Sequence, residues 1–142
     1  MVGAARPTWL GKDGAVGTAE RIRAYFADCT SGSAADIARH FTEDAVIYDT
    51  NVRPVRGATA IGSFWVGVRE RWRGAAWSVE SVVADGDAAA IEWAMTGSDA
   101  DGRPFTVRGS EHYAFAGGRI AEIRQYWTFD RDRLDTGLVD HP

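Results

Sequence analysis

The sequence predicts an α+β domain in which three helices and a curved antiparallel sheet enclose a cone. Three observations carry this prediction. Apolar residues recur at helical spacing in three stretches of the first half, the period changes to two from Trp77 onward, and three glycine-containing turn signals divide the second half into strands. Helix stripes need a sheet face to bury against, and consecutive strands joined by short turns make an antiparallel meander. The 142 residues, 45% hydrophobic and 25% charged, suffice for one core in one domain.

Residues 1–17 read as a flexible tail lacking the apolar stretch of a secretory leader, 18–128 as the folded domain, and 129–142 as a solvated C-terminal tail or flap. Thr18 stands where it can cap the first helix, whose stripe is Ile22, Tyr25, Phe26 and Cys29. Ser31-Gly32-Ser33 breaks that helix. Ser33 and Asp36 form a capping-box-like start to a short second helix that turns Ala34, Ile37, Ala38 and Phe41 inward. Ala45 to Asp49 is β-prone and ends in a turn through Arg53-Pro54 and Gly57. A third helix starts near Ala58, with Ile61, Phe64, Trp65, Val68 and Trp72 on its inner face. Asp85-Gly86, Asp101-Gly102 and Gly117-Gly118 then separate strands near 77–84, 88–97, 104–115 and 119–128.

Composition removes several classes of function. The 20 acids and 16 bases leave a net charge of −4 and the bases are scattered, so nucleic acid is not an expected partner. No stretch approaches the roughly 18 apolar residues of a membrane span, so no membrane partner and a cytoplasmic location are expected. His40, His112 and His141 lack metal-ligand spacing, and no glycine-rich phosphate loop follows a strand, so neither a metal nor a cofactor is expected. Cys29, the single cysteine, fits its helix stripe as a small buried residue.

The residues able to do chemistry stand out by their faces. Phe105, Val107, Gly109, Glu111, Tyr113 and Phe115 alternate along one strand and share its apolar side, which must be the inner one. Glu111 is the only charge in that row. A carboxylate in such a place keeps its proton or finds a donor, so its pKa should rise; the alternative is a structural carboxylate pinned by an Arg or a hydroxyl. Asp49 shares a strand face with Ile47, which aims it at the cone interior, although Asp before Thr50-Asn51 also suits a plain turn. Tyr25 lies on a helix stripe, where tyrosine serves equally as core. Gln125 shares its face with Ile123 and Trp127 and reaches the same interior. Phe64, Trp65, Trp77, Trp93, Tyr113 and Trp127 supply aromatic walls, as ligand lining or as core.

Three segments together resemble the NTF2-like superfamily in its SnoaL-like and ketosteroid-isomerase-like branch: Phe41-Thr-Glu-Asp-Ala-Val-Ile-Tyr-Asp49, Arg56-Gly57-Ala-Thr-Ala-Ile61, and Phe115-Ala-Gly-Gly-Arg-Ile120 running on to Gln125-Tyr126-Trp127. The resemblance spans roughly residues 18–128 and implies the fold firmly. It implies function less firmly, because isomerases, cyclases, dehydratases, epoxide hydrolases and binding modules share that fold. Ketosteroid isomerases carry a Tyr on the first helix, a general-base Asp ending the first strand and a protonated Asp on the penultimate strand. Tyr25, Asp49 and Glu111 fall at those points, with Glu in place of Asp and a one-residue offset at Gly117.

Two classes of function follow. In the first, Asp49 takes a proton beside the carbonyl of an apolar small molecule while Tyr25 and neutral Glu111 donate hydrogen bonds to the enolate, a first step shared by isomerases, cyclases and dehydratases. It places both carboxyl groups on one cavity, about 5–10 Å apart. In the second, a non-catalytic module binds an apolar ligand or is packed shut. An epoxide hydrolase of limonene type would need Asp where Gln125 stands, and a scytalone-dehydratase type would need inward histidines. The polar outer face, with Thr106, Arg108, Ser110, His112, Arg124 and Tyr126, suits a homodimer interface.

Overall fold

A computed structural model describes residues 17–130, 132–133 and 135–141. In chain order the described elements are helices α1 (Thr18–Ser31) and α2 (Ala34–Ala38), strands β1 (Phe41–Asp49) and β2 (Val55–Arg56), helix α3 (Ala58–Arg71), then strands β3 (Arg73–Asp85), β4 (Ala88–Ser98), β5 (Pro104–Ala116) and β6 (Arg119–Trp127). The loose N-terminal tail expected over residues 1–17 lies, except for Gly17, outside the described residues.

The strands form one curved, open sheet in the order β2-β1-β6-β5-β4-β3. The last four make the expected antiparallel meander, while β1 joins β6 in parallel, so the sheet is mixed. Consecutive strands joined by short turns run antiparallel; β1 is free of that limit because α3 and four strands separate it from β6. At the last turn Gly117 and Gly118 both have positive φ, 57° and 78°, the left-handed backbone that glycine takes without strain.

The stripe expected on α1 is the buried one: Ile22, Tyr25, Phe26 and Cys29 face the core. Gly17, not Thr18, is its N-cap, and no side chain caps it. α2 starts on the expected capping box, in which Ser33 Oγ accepts from the Asp36 amide and Asp36 from the Ser33 amide. Phe41, expected on the α2 face, instead opens β1, four residues earlier than β-propensity alone places that strand. Trp72 lies just past α3 with an extended backbone and stacks edge-on against Phe105 at 4.8 Å. The two-residue β2 was not visible in the pattern, since Val55-Arg56 follows a proline and is too short to show a period.

Along β5, Phe105, Val107, Glu111, Tyr113 and Phe115 are buried, and Arg108 on the opposite face is exposed. The C-terminal segment crosses this outer face: Asp135 Oδ1 accepts from the Thr106 amide at 2.9 Å, and the Thr106 carbonyl accepts from the Thr136 amide at 3.1 Å. The chain's own end therefore shares the surface expected to pair two copies.

α2 and α3 approach most closely at Gly62, where a Cβ would lie 3.0 Å from the Ala34 carbonyl carbon and nearer still to its oxygen. Gly67, in the same helix, has no such neighbour within 4 Å. Gly62→Ala should therefore destabilise by about 1–3 kcal/mol through overpacking, whereas Gly67→Ala should stabilise by about 0.5–1 kcal/mol through helix propensity. Urea denaturation of both variants checks the opposite signs.

Candidate functional site

Strand register builds the site. Asp49 on β1 pairs with Gln125 on β6, Gln125 pairs with Glu111 on β5, and Glu111 pairs with Ile91 on β4. Directly opposed residues point to one face, so Asp49, Gln125 and Glu111 form a row across the concave side of the sheet. Adjacent strands lie about 4.8 Å apart, which sets the two carboxyl-bearing backbones about 10 Å from each other with the glutamine between them. Depth increases along the row. Asp49 is half-buried at the rim, Gln125 is 4% exposed and Glu111 is 2% exposed.

Burial is the main force on Glu111 and pushes its carboxyl from an ordinary 4.5 up to about 8; the hydrogen bond from Tyr113 opposes this, and the negative charge of Asp49 adds to it. The acid is therefore mostly neutral at pH 7. Tyr113 Oη donates to Glu111 Oε2, which leaves the other carboxyl oxygen to carry the proton. This partner arises simply, because residues two apart on a strand share a face. The alternation that places Glu111 inward already placed Tyr113 beside it, and only the hydroxyl contact was missed.

Asp49 holds a turn and also faces the interior. Its Oδ1 accepts from the Asn51 amide at 2.6 Å, the local bond of a turn aspartate. Its Oδ2 accepts from Gln125 Nε2 and from Trp127 Nε1, both at 2.9 Å. Three donors occupy three of the roughly four lone-pair positions of a carboxylate and leave one open. Thr50 Oγ1 donates to the Trp127 carbonyl at 2.6 Å, which fastens the ends of β1 and β6 around this rim.

The remaining predicted residues divide. Tyr25 is 1% exposed and packs edge-on against Phe26 and Phe41 at 5.5 and 5.1 Å. Burial raises its hydroxyl well above the ordinary tyrosine value, with Cys29, Glu111 and Tyr113 adding to the rise. Tyr25 thus belongs to the same buried cluster, and Tyr113 is the tyrosine that reaches Glu111. Burial likewise raises the Cys29 thiol far above its usual range, which disfavours the thiolate that a nucleophile needs. Trp93 and Trp127 face each other at 6.1 Å across Gly109, where a Cβ would come within 2.6 Å of the Trp93 ring and 2.9 Å of Trp127 Cβ. Phe64 and Trp65 meet edge-on at 5.0 Å, and Trp65 meets Trp77 edge-on at 5.9 Å.

Among the described residues, three polar atoms of this interior are buried without a hydrogen-bond partner: Trp65 Nε1, Trp93 Nε1 and Gln125 Oε1. Such groups are rare in folded proteins, and they are what an oxygen-bearing ligand satisfies. A cleft of about 780 Å³ opens on the outer face, between Arg108 and Tyr126 of the sheet and Leu138 of the C-terminal segment, and it also touches Trp93, Gly109 and Trp127. Neither carboxyl group of the row lines it. Among the described residues no cluster of three or more His, Cys, Asp or Glu converges as a metal site, and no helix is long and apolar enough to cross a membrane.

Helices closing the concave side of a curved open sheet make the NTF2-like architecture. The chain belongs to the SnoaL-like domain family, whose model matches residues 22–123. Among solved structures, a protein of unknown function with a cystatin-like fold from Methylobium petroleophilum PM1 is similar at 28% identity and TM-score 0.69, over 86% of this chain and 85% of that one. A protein assigned as a SnoaL-like polyketide cyclase from Jannaschia sp. CCS1 is similar at 18% identity and TM-score 0.67, over 76% and 83%. The epoxide hydrolase/cyclase-like enzyme SalBIII, with a role in pyran ring formation in the polyether salinomycin, is similar at 19% identity and TM-score 0.68, over 78% and 89%. No curated protein matches the sequence.

The raised Glu111 pKa fixes a sign. Between 4.5 and about 8 the folded state holds a proton that the unfolded chain has released, so the residue costs stability as pH rises through that window and no further above it. Glu111→Gln keeps an acceptor for Tyr113 and removes the titration. The variant should gain on wild type by up to about 1.4 kcal/mol per pH unit across the window and then level off. Thermal melts of both proteins from about pH 4 to 9 measure this, and a variant less stable than wild type at neutral pH would mark Glu111 as a paired structural carboxylate.

Proposed function

We propose that the chain is an enzyme that moves a proton on an apolar carbonyl compound, in an isomerase, cyclase or dehydratase type of reaction. The observation that carries this reading is the row itself: a half-buried carboxylate with one open lone-pair position, and a buried neutral acid two strands away on the same face. A base and an acid separated by environment are the requirement of enolisation. The SnoaL-like family and its cyclase and cyclase-like neighbours support a small-molecule enzyme.

The chemistry follows from positions. The ligand carbonyl lies towards Glu111, and the adjacent C–H lies towards Asp49. As the C–H bond breaks, its proton passes to Asp49, its electron pair forms the C=C bond, and the carbonyl π pair moves onto oxygen. Glu111 donates a hydrogen bond to that oxygen, and Tyr113 holds Glu111 through its other carboxyl oxygen. Gln125 and Trp127 fix the Asp49 carboxylate in the orientation this requires. Returning the proton to another carbon isomerises the compound; attack of the enolate carbon on a second carbonyl closes a ring. The epoxide-hydrolase alternative, the kind of enzyme that SalBIII resembles, is the weaker reading, since Gln125 stands where a limonene-type site would hold Asp.

The test uses 1-(2-naphthyl)butan-1-one in D2O, with loss of its C2 protons followed by NMR. Wild type should accelerate the exchange over buffer, and Asp49→Asn should lower it by about 10²-fold or more while ligand affinity stays within a few-fold. Binding without any acceleration would make the protein a ligand-binding module instead.

A further inference from the structure

Gln125 is held by one end only. Its Nε2 donates to Asp49 Oδ2 at 2.9 Å, while its Oε1 is buried with no partner. The orientation is fixed by chemistry, because turning the amide over would set its oxygen against a carboxylate oxygen and two acceptors would meet. The amide therefore presents a carbonyl oxygen to the interior, and a carbonyl oxygen accepts. What belongs against it is a donor, not the ketone oxygen that an amide N–H would take.

Register locates that donor. Gln125 is paired with Asp49 on one side and with Glu111 on the other, one strand spacing of about 4.8 Å from each. A group bound to Oε1 thus lies between the base and the acid, roughly 5 Å from an oxygen held at Glu111, which is the reach from a ketone to a hydroxyl on its β-carbon. The other two unpartnered atoms have the opposite polarity. Trp93 Nε1 and Trp65 Nε1 are donors, on residues 3% and 6% exposed, and both call for ligand oxygens. Trp65 sits against Trp77, and Val79, two residues further along the same strand face, is paired with Trp93, so the two indoles border one stretch of the interior.

We propose that the ligand of this interior is a hydroxyketone: an apolar molecule whose ketone is accompanied, about one strand spacing away, by a hydroxyl that donates to Gln125 Oε1. The assignment rests on the interior being a carbonyl-compound site, as above, and adds its substrate class. A hydroxyl is both donor and acceptor, so a hydroxyketone satisfies Gln125 and offers two oxygens to the indoles. A plain ketone leaves the buried glutamine oxygen unpaired, and sites built to bond a hydroxyl discriminate strongly against analogues that lack it.

Calorimetric titration near pH 6 tests this with three probes: 3-hydroxy-1-(2-naphthyl)butan-1-one, the parent 1-(2-naphthyl)butan-1-one, and the 3-methoxy analogue, which keeps the oxygen but cannot donate. On wild type the hydroxyketone should bind at least about 10-fold tighter than either of the others. Gln125→Met should erase that advantage, so that on the variant the hydroxyketone and the parent ketone bind within about 2-fold of each other. Equal affinities on wild type, a methoxy analogue as tight as the hydroxyketone, or an advantage that persists in Gln125→Met would each overturn the assignment. The wild-type comparison with the methoxy analogue decides the question even if Gln125→Met does not fold. A hydroxyl preference without deuterium exchange would keep this assignment and remove proton transfer, exchange without the preference would do the reverse, and no binding by any probe would overturn both.

Discussion

Five paired positions join β1 to β6 in parallel, and the last of them sets Asp49 beside Gln125. Without that pairing the floor of the cone would hold one buried acid with nothing across from it. The meander from β3 to β6 is local and could form with any helix arrangement above it, whereas the β1–β6 contact spans most of the chain. Strand side chains alternate, so a slip of one residue would turn Asp49 outward and bring the half-exposed Tyr48 into the interior. The register is held from several sides. Ile47 is buried against Ile123, the Ile120 amide donates to the His40 carbonyl at 2.8 Å, and Thr50 clips the far end to Trp127.

The cluster beneath this rim is a compromise between burial and polarity. An ionised Glu111 would be expensive among Tyr25, Tyr113 and Ile91, so the fold keeps it neutral, and a neutral carboxylic acid is a hydrogen-bond donor at neutral pH. The same burial raises the hydroxyls of Tyr25 and Tyr113, so both stay protonated. One apolar environment therefore keeps three polar groups, Glu111, Tyr25 and Tyr113, as donors. The remaining stress in this interior falls on atoms that no group among the described residues reaches, the two indole nitrogens and the glutamine oxygen.

Much of this was legible in the sequence where a period was long enough to read. The thirteen residues of β5 showed which face Glu111 takes, and the α1 stripe named all four of its buried residues. The parallel partner of β1 was not legible, because nothing local in Phe41–Asp49 specifies a strand nearly eighty residues away. Nor was the polarity of Gln125. Its face could be read from Ile123 and Trp127, but which end of the amide looks inward depends on Asp49, and that neighbour exists only after folding. Gly109 was visible as a gap in an otherwise filled row, yet the gap has meaning only with Trp93 and Trp127 on either side.

That gap makes Gly109 the gauge of the interior's width. The two indoles meet over a residue with no side chain, and a single methyl group there would stand 2.6 Å from one ring. Adding it must push Trp93 or Trp127 away, and Trp127 is tied to Asp49 through its indole N–H. Size selection and the aim of the carboxylate are thus mechanically linked. A change at this one residue would therefore alter, in the same substitution, both the room between the indoles and the aim of the Asp49 carboxylate.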